Sequence, residues 1–324
     1  MSYTPTVSST RDAGIDLVKI VGMVMVIMNH STGCFVREGI FNLPWVLYYA
    51  SVAGVPLFLM ASGYLLLPRN PDKIPYSYIL RKIWAVMRLL AIMIIPSFLW
   101  HQYSDPDFSP QEYFMRGSHL WYLWALIPIF IFYRPLAYLY THPRAFRAVL
   151  AIMLSALCVI TYLNYTSFFE GQIPRPLRLW TWLAYFMLGG VMRKIMIPRN
   201  LLAVLFLTSL AALYLQTWYF YQNPFTDLGL EYILCAPFSI LYSVLLFAIC
   251  REARVARWKS LRIFADLFLP VYVLHWAILA RLSRFFEFTH FGGGLPLCVL
   301  TLAVTLVISR IIMRTRIGRW IFHL

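Results

Sequence analysis

The chain has 324 residues, of which 61% are hydrophobic, and it carries a formal net charge of +15 at pH 7. This composition excludes an ordinary soluble globular domain and is typical of a membrane protein. The charge alone would suggest a nucleic-acid partner, but its distribution along the chain argues against that class. The five scattered cysteines form no CxxC pair, so neither a metal site nor a disulfide framework is predicted.

Ten apolar stretches are candidate membrane spans. They are predicted at 14–36, 43–67, 80–101, 119–139, 146–166, 178–192, 200–221, 230–250, 264–286 and 294–312. No cleavage signature follows the first stretch, which we interpret as a retained span. We therefore predict an all-α integral membrane protein with a bundle of about ten transmembrane helices. The bundle forms a single domain over residues 1–324, with a short cytoplasmic tail at 1–13 and no fused soluble domain.

The basic residues are distributed unequally between the two sides of these spans. If the N-terminus is cytoplasmic and ten spans alternate, all but six of the 28 Lys and Arg residues fall in inner segments. The six outer residues are Arg37, Arg116, Arg175, Arg178, Arg281 and Arg284. This bias follows the positive-inside rule and predicts that both termini are cytoplasmic.

The first span contains a lysine and a histidine eleven residues apart, Lys19 and His30. A helix turns about 100° per residue, so their spacing brings them within roughly 20° of each other and on the order of 16 Å apart along the axis. Ionisable side chains are costly in hydrocarbon, so the pair is a candidate functional site. The alternative is a lysine that snorkels at the helix end and a histidine that faces a neighbouring helix.

The second and third spans carry further candidates. The second contains the sequence VPLFLMASGYLLLP, in which Ser62 and Gly63 indicate either a kinked helix that lines a cavity or ordinary small-residue packing. The third begins with Arg81, Lys82 and Arg88. These cations either bind phosphate groups or serve the positive-inside rule and lipid head groups.

Two more histidines lie in or near apolar segments. His119 opens the sequence HLWYLW, whose tryptophans are typical of an interfacial aromatic belt that does not itself require a histidine. In the ninth span, Tyr272 and His275 are three residues apart and therefore occupy neighbouring helix positions. A structural histidine that is satisfied by a backbone carbonyl is the alternative for His275.

Taken in chain order, these residues resemble acyltransferase family 3, the multispan membrane acyltransferases that modify cell-surface polysaccharides and related exported molecules. The matching segments are DLVK from Asp16 with His30 beyond it, VPLFLMASGY from Val55, HLWYL from His119, FMLGG from Phe186 and VYVLH from Val271. Many members have Arg at the position of Lys19. Many also have two arginines three residues apart in the third span, whereas here Arg81 is followed three residues later by Trp84. Many also have a fused extracytoplasmic domain, so a second transfer step is expected to need another protein.

The resemblance implies transfer of an acyl group, most often acetyl, from cytoplasmic acyl-CoA to a hydroxyl of an exported or lipid-linked glycan. It implies a multi-pass protein of the bacterial inner (cytoplasmic) membrane, in contact with membrane lipids. Acetyl-CoA is the expected co-substrate, and no permanently bound cofactor, metal or nucleic acid is expected.

The resemblance also suggests roles for the candidate residues. His30 is the predicted general base or acyl carrier, since imidazole is the usual base for a poor nucleophile and burial favours its neutral form. Lys19, Arg81, Lys82 and Arg88 are predicted to orient the phosphates of the donor. His119 is assigned to acceptor binding or oxyanion stabilisation, and Ser62 to a hydrogen bond. The remaining predicted substrate- or donor-binding residues are Asp16, Tyr272 and His275. The sequence shows no acidic partner for His30.

A transporter or flippase of a lipid-linked glycan or its precursor is the alternative function. Ten spans, buried cations and proline breaks are equally typical of transporters. That function predicts movement of the glycan without consumption of acyl-CoA, whereas an acyltransferase releases free CoA. A purely structural scaffold would give no reason for histidines in apolar spans.

Overall fold

The computed structural model describes residues 11–33, 43–104, 120–165, 178–221, 233–253, 259–285 and 294–323, with no strand in these ranges. The helices there are α1 (Ala13–Thr32), α2 (Leu43–Ala50), α3 (Gly54–Leu66), α4 (Tyr76–Ser104), α5 (Trp121–Tyr140), α6 (Pro143–Tyr165), α7 (Leu179–Met192), α8 (Arg199–Tyr221), α9 (Pro237–Glu252), α10 (Lys259–Asp266), α11 (Phe268–Phe285), α12 (Leu295–Arg314) and α13 (Arg316–Phe322). Short 3₁₀ turns occur at Ser51–Ala53, Pro71–Lys73 and Ile233–Cys235.

The prediction of an all-α protein is confirmed, because 90% of the described residues are helical. Six helical segments are long and apolar enough to cross a membrane: α1, the continuous stretch Leu43–Leu66, α5, α6, α8 and α12. The other four predicted spans coincide with α4, α7, α9 and α11. The count of about ten spans and the orientation of the termini stay predictions.

The residue that caps the first helix also binds a side chain of α3. Asp12 is the N-cap of α1, and its Oδ1 accepts hydrogen bonds from the backbone amides of Gly14 at 3.0 Å and Ile15 at 3.3 Å. A carboxylate suits this position because the first amides of a helix lack partners within the helix. The other oxygen, Oδ2, accepts a hydrogen bond from the Tyr64 hydroxyl at 3.2 Å. The cap therefore joins the beginning of α1 to the end of α3.

Glycines bring α3 and α7 into direct backbone contact. A Cβ added at Gly63 would meet the backbone carbonyl of Phe186, and one added at Gly189 would meet the backbone of Met60. Small residues permit such approach between membrane helices. The small-residue packing predicted as one interpretation of the Ser62–Gly63 stretch is thus present.

The helices differ in how much of their surface the bundle covers. In the apolar window of Leu43–Leu66, 67% of residues are buried, against 22% in those of α6 and α8. The peripheral helices expose large apolar side chains such as Ile152 and Leu207. An apolar exterior of this kind suits contact with lipid. The stretch Leu43–Leu66 therefore lies near the centre of the bundle, and α6 and α8 lie at its edge.

Several helix termini meet at one end of the bundle, which we call the basic end. Arg251, near the end of α9, donates hydrogen bonds to the carbonyls of Met192 and Ile195, which lie at and beyond the end of α7. Arg199, at the start of α8, donates to the carbonyl of Glu252 at 3.3 Å. The basic end comprises Arg11, Asp12, Tyr64, Arg193, Arg199, Arg251, Glu252 and Asp266. It thus gathers termini that the predicted topology places on the cytoplasmic side.

Candidate active site

The His30 ring lies in the last turn of α1 and packs against α11. Its centroid is 5.3 Å from that of His275 and 5.0 Å from that of Trp276, which meets it edge-on at 75°. Lys19 contacts Phe268 at the start of α11, whereas His30 contacts residues further along, so α1 and α11 run in the same direction. The face of α1 that carries Lys19 and His30 therefore packs against α11. Trp276 was missed from the sequence, although its adjacency to His275 was a usable signal.

His275 is completely buried and is held by its own helix. Its Nδ1 lies 2.5 Å from the carbonyl oxygen of Tyr272. Because a carbonyl only accepts, Nδ1 carries the proton in this contact, and a neutral ring then has its lone pair on Nε2. The backbone contact predicted for a structural histidine is present, and the same ring also contacts His30.

Lys19 lies towards the basic end, next to a group of alternating charges. Its Nζ lies 5.5 Å from the centroid of the Phe268 ring. One turn earlier, the buried Asp16 accepts a hydrogen bond from Arg11 Nε at 2.5 Å, and Arg11 Nη1 lies 2.8 Å from Asp266 Oδ1. Burial alone would lower the pKa of the Arg11 guanidinium, but the bonds and charges of Asp16 and Asp266 raise it. Arg11 therefore remains charged and forms a salt bridge with Asp16.

Asp266 was not among the residues predicted for the site. The signal was its position near the inner end of the ninth predicted span, close to the depth of Asp16 at the start of the first. Spans that begin on the same side can place such residues together, but the sequence alone does not show which spans are neighbours.

Four aromatic side chains connect the surroundings of Lys19 with those of His30. This aromatic column consists of Phe268, Phe58, Tyr122 and Tyr272. The ring centroids of Phe58 lie 5.4 Å from Phe268 and 6.3 Å from Tyr272, and Tyr272 lies 5.8 Å from His275. Aromatic pairs at 4.5–7 Å attract each other beyond simple burial. The column is thus a continuous series of packed rings beside α1 and α11.

Ser62 adjoins this column. Its hydroxyl donates to the carbonyl of Phe58 at 2.9 Å, as serines inside helices commonly do. It also lies within hydrogen-bonding reach of the Tyr122 hydroxyl. The structure thus places Ser62 beside Tyr122 and Phe58, and its predicted role with substrate stays a prediction.

The three cations of α4 have different partners: two contact their own helix, and the third contacts the C-terminal segment. Arg81 Nε donates to the carbonyl of Ser77 on its own helix at 3.3 Å, and Lys82 Nζ lies 5.5 Å from the Tyr78 ring centroid. Arg88 belongs to a different contact. Its guanidinium stacks 4.4 Å from the Trp320 ring centroid, and Nη2 donates to the carbonyl of His323 at 3.2 Å. Arg88 therefore joins α4 to the C-terminal segment. The predicted residue His119 lies outside the described residues.

A cavity of about 590 Å³ opens at the basic end. Its lining consists of Asp12, Tyr64, Met196, Ile197, Pro198, Arg199, Arg251 and Glu252. The guanidinium of Arg193 stacks 4.8 Å from the Tyr64 ring centroid and adds a further cation nearby. The sequence indicated these arginines only as topology signals, because their convergence depends on how α3, α7, α8 and α9 pack.

Comparison with protein families gives one match over nearly the whole chain. A family model described as an acyltransferase domain matches residues 12–314. The matched range begins at Asp12, the cap of α1, and ends at Arg314, the last residue of α12, so it coincides with the helical bundle. Comparisons with curated proteins and with solved structures give no match.

Proposed function

Because the chain belongs to acyltransferase family 3 and is a membrane acyltransferase, we propose that it transfers an acetyl group from cytoplasmic acetyl-CoA to a hydroxyl of an exported or lipid-linked glycan. The observation that carries this proposal is the position of His30, in contact with His275 at the end of α1 opposite the basic end. A partly buried imidazole is suited to accept the proton of a hydroxyl nucleophile.

The donor is proposed to approach from the basic end. CoA is a polyanion, and this end combines a cavity with Arg193, Arg199 and Arg251. Lys19 lies between this end and the aromatic column, where an ammonium group attracts phosphate as a point charge. Asp16 supports the site indirectly, by holding Arg11.

The α4 cations Arg81, Lys82 and Arg88 remain a second proposed contact for the phosphates of the donor. Arg81 is exposed and bound only to a carbonyl of its own helix among its described contacts, so its guanidinium can turn to a ligand at little cost. Arg88 is less suited to this role, because Trp320 and His323 already bind it.

In the proposed reaction, His30 takes the proton from the acceptor hydroxyl as its oxygen attacks the thioester carbonyl. The carbon–sulfur bond then breaks, an ester forms, and the CoA sulfur leaves with the proton from His30. Transfer through an acyl-histidine would first place the acetyl group on His30 and then on the acceptor. Ser62 and His119 are proposed to assist acceptor binding or stabilise the oxyanion.

For this reaction we propose that the protein lies in the bacterial inner membrane, with about ten spans and both termini in the cytoplasm. The convergence of helix termini at the basic end supports this arrangement, since the termini that meet there are those that the positive-inside rule places inside.

The test compares the surface polysaccharide of a deletion strain that expresses wild-type protein, the His30→Ala variant or the control variant His142→Ala. His142 is an exposed histidine in the turn between α5 and α6. We expect mass spectrometry to show acetyl groups with the wild type and the control, and a loss of about 10²–10⁴-fold in transfer rate with His30→Ala. Acetylation at the wild-type level by His30→Ala would overturn the assignment of the base.

A second measurement separates the enzyme from the alternative transporter. Membranes are incubated with acetyl-CoA and unacetylated polysaccharide from the deletion strain, and free CoA is measured with a thiol reagent. An acyltransferase releases CoA in proportion to the ester that forms. Movement of the glycan with no dependence on acetyl-CoA would favour the flippase.

A further inference from the structure

We propose that the surface formed by α4 and α13 binds the head group of an anionic phospholipid. This lipid site comprises Arg88, Arg316, Ile317 and Trp320, with Trp84 beside it. The inference goes beyond the proposed function and does not depend on it, because lipid binding requires no acyl transfer. It gives Arg88, the α4 cation that is less suited to the donor, a different anionic ligand.

The helix α13 is a short element that is held against the end of α12. Thr315 Oγ1 accepts a hydrogen bond from the Gly318 amide at 2.9 Å and thereby caps α13. Gly318 is buried, and a Cβ added there would meet the backbone carbonyl of Ile312. Phe322, four residues after Gly318, is buried as well. One face of α13 is therefore fixed against the protein, and the opposite face is exposed.

Two arginines lie beside the Trp320 ring. The guanidinium of Arg88 stacks 4.4 Å from the ring centroid, and its Nη2 donates to the carbonyl of His323 at 3.2 Å. Arg316 is exposed and precedes Trp320 by four residues, so the two are neighbours on the helix surface. Arg88 Nε has no hydrogen-bond partner among the described residues. Neither α4 nor the segment 294–323 contains Asp or Glu, so no acid of these elements neutralises the two arginines.

The apolar side chains around these arginines favour a lipid over a soluble anion. Ile317 is 70% exposed, Trp320 56%, and Trp84, one turn before Arg88, 69%. Tryptophan and aliphatic side chains beside arginines are typical of the boundary between lipid head groups and acyl chains. A phospholipid offers a phosphate to the guanidinium groups and acyl chains to the apolar side chains. Acetyl-CoA offers phosphates but no long acyl chain.

The course of α12 places the lipid site on the same side as the basic end. The helix begins beside the end of α1, where Cys298 lies within hydrogen-bonding reach of Ser31. Its 20 residues extend about 30 Å, so Arg314 at its end returns to the side where α1 begins. In the proposed orientation that side faces the cytoplasmic leaflet, whose anionic lipids attract basic segments next to a membrane helix.

The lipid site is separate from the proposed entrance of the donor. The described lining of the cavity at the basic end comes from the start of α1, from α3, from α8 with the segment before it, and from α9. The lipid site lies on α4 and α13 and shares no residue with that lining. An anion bound at one place therefore leaves the other open.

The test uses purified protein in phosphatidylcholine nanodiscs that contain a trace of a photoactivatable lipid. The probe is phosphatidylglycerol with a diazirine on one acyl chain, and the reference probe is phosphatidylcholine with the same chain. After illumination, mass spectrometry maps the crosslinks and measures the labelled fraction of the segment 317–323. We expect phosphatidylglycerol to label this segment at least fivefold more than phosphatidylcholine, because only the former carries a net negative charge.

Two variants and a control assign this labelling to the arginines. Arg316→Gln should lower labelling by phosphatidylglycerol about fivefold, the usual effect of one basic residue near an anionic surface. Arg88→Gln should lower it about tenfold, because it also removes hydrogen bonds to a charged group. The control Arg147→Gln, at an exposed arginine of the peripheral helix α6, should label as the wild type does. Arg316→Gln leaves the Arg88–Trp320 contact in place, so it decides the test if Arg88→Gln does not fold.

Three results would overturn the inference. They are equal labelling by the two probes, wild-type labelling in Arg316→Gln, and a loss of labelling when free CoA is added, which would assign these arginines to the donor. The proposed function has a separate readout. His30→Ala should lose acetyl transfer and keep its lipid labelling, whereas failure of the lipid test leaves the transfer assay unaffected.

Discussion

At the scale of single residues, the lysine and the histidine of the first span are both in contact with rings. Lys19 lies beside Phe268, and His30 lies between His275 and Trp276. A ring attracts an ammonium group without neutralising it, whereas the nearby carboxylate of Asp16 is engaged by Arg11. Lys19 therefore has no salt-bridge partner among the described residues, and His30 packs against two rings of α11.

Removal of the charge at position 19 is expected to weaken donor binding. Lys19→Gln should raise KM for acetyl-CoA about tenfold or more, since a hydrogen bond to a charged group contributes about 1.5–3 kcal/mol. Lys19→Arg should stay near the wild-type value, because a guanidinium also stacks on Phe268 and binds phosphate. Steady-state kinetics with acetyl-CoA is the measurement. The control is Lys73→Gln, in an exposed turn between α3 and α4. An unchanged KM in Lys19→Gln would contradict the donor role.

At the scale of elements, the contact between α3 and α7 supports the aromatic column. Gly63 and Gly189 bring the two backbones together, and α3 carries Phe58 and Ser62 on the stretch that this contact fixes. Two of the segments that resemble the family, around Ser62 and around Phe186, thus meet in one helix pair. Their glycines serve packing, and the chemical groups of the site are carried by the residues between them.

Two adjacent glycines of α7 provide a matched test of this packing. Gly189→Ala places a Cβ against the backbone of Met60, which cannot move aside, whereas Gly190→Ala meets mainly the side chain of Leu67. We expect Gly189→Ala to destabilise the protein by about 1–3 kcal/mol and Gly190→Ala by less. Thermal unfolding in one detergent gives the two Tm values. Equal Tm values for the two variants would show that the α3–α7 contact is looser than described.

At the scale of the whole molecule, the sequence predicted where helices lie along the chain better than it predicted which helices pack together. The helices could be predicted because apolar length is a local property, and the first predicted span, 14–36, contains most of α1. The contact of His30 with His275 could not, because it depends on α1 and α11 being parallel neighbours. Arg88 illustrates the same point. Its charge suggested a ligand, whereas its partners lie in the C-terminal segment, far along the chain.

The predicted orientation can be tested with two engineered cysteines on either side of α5. Gln102 is exposed near the end of α4, and His142 is exposed in the turn after α5, so one span separates them. In a variant without native cysteines, Gln102→Cys should react with a membrane-impermeant maleimide in intact spheroplasts, and His142→Cys only after lysis. The reason is the positive-inside rule, which places the basic end, near His142, in the cytoplasm. Reaction of both cysteines in intact spheroplasts would contradict the crossing by α5. A reversed pattern would place the basic end outside, where cytoplasmic acetyl-CoA cannot reach it.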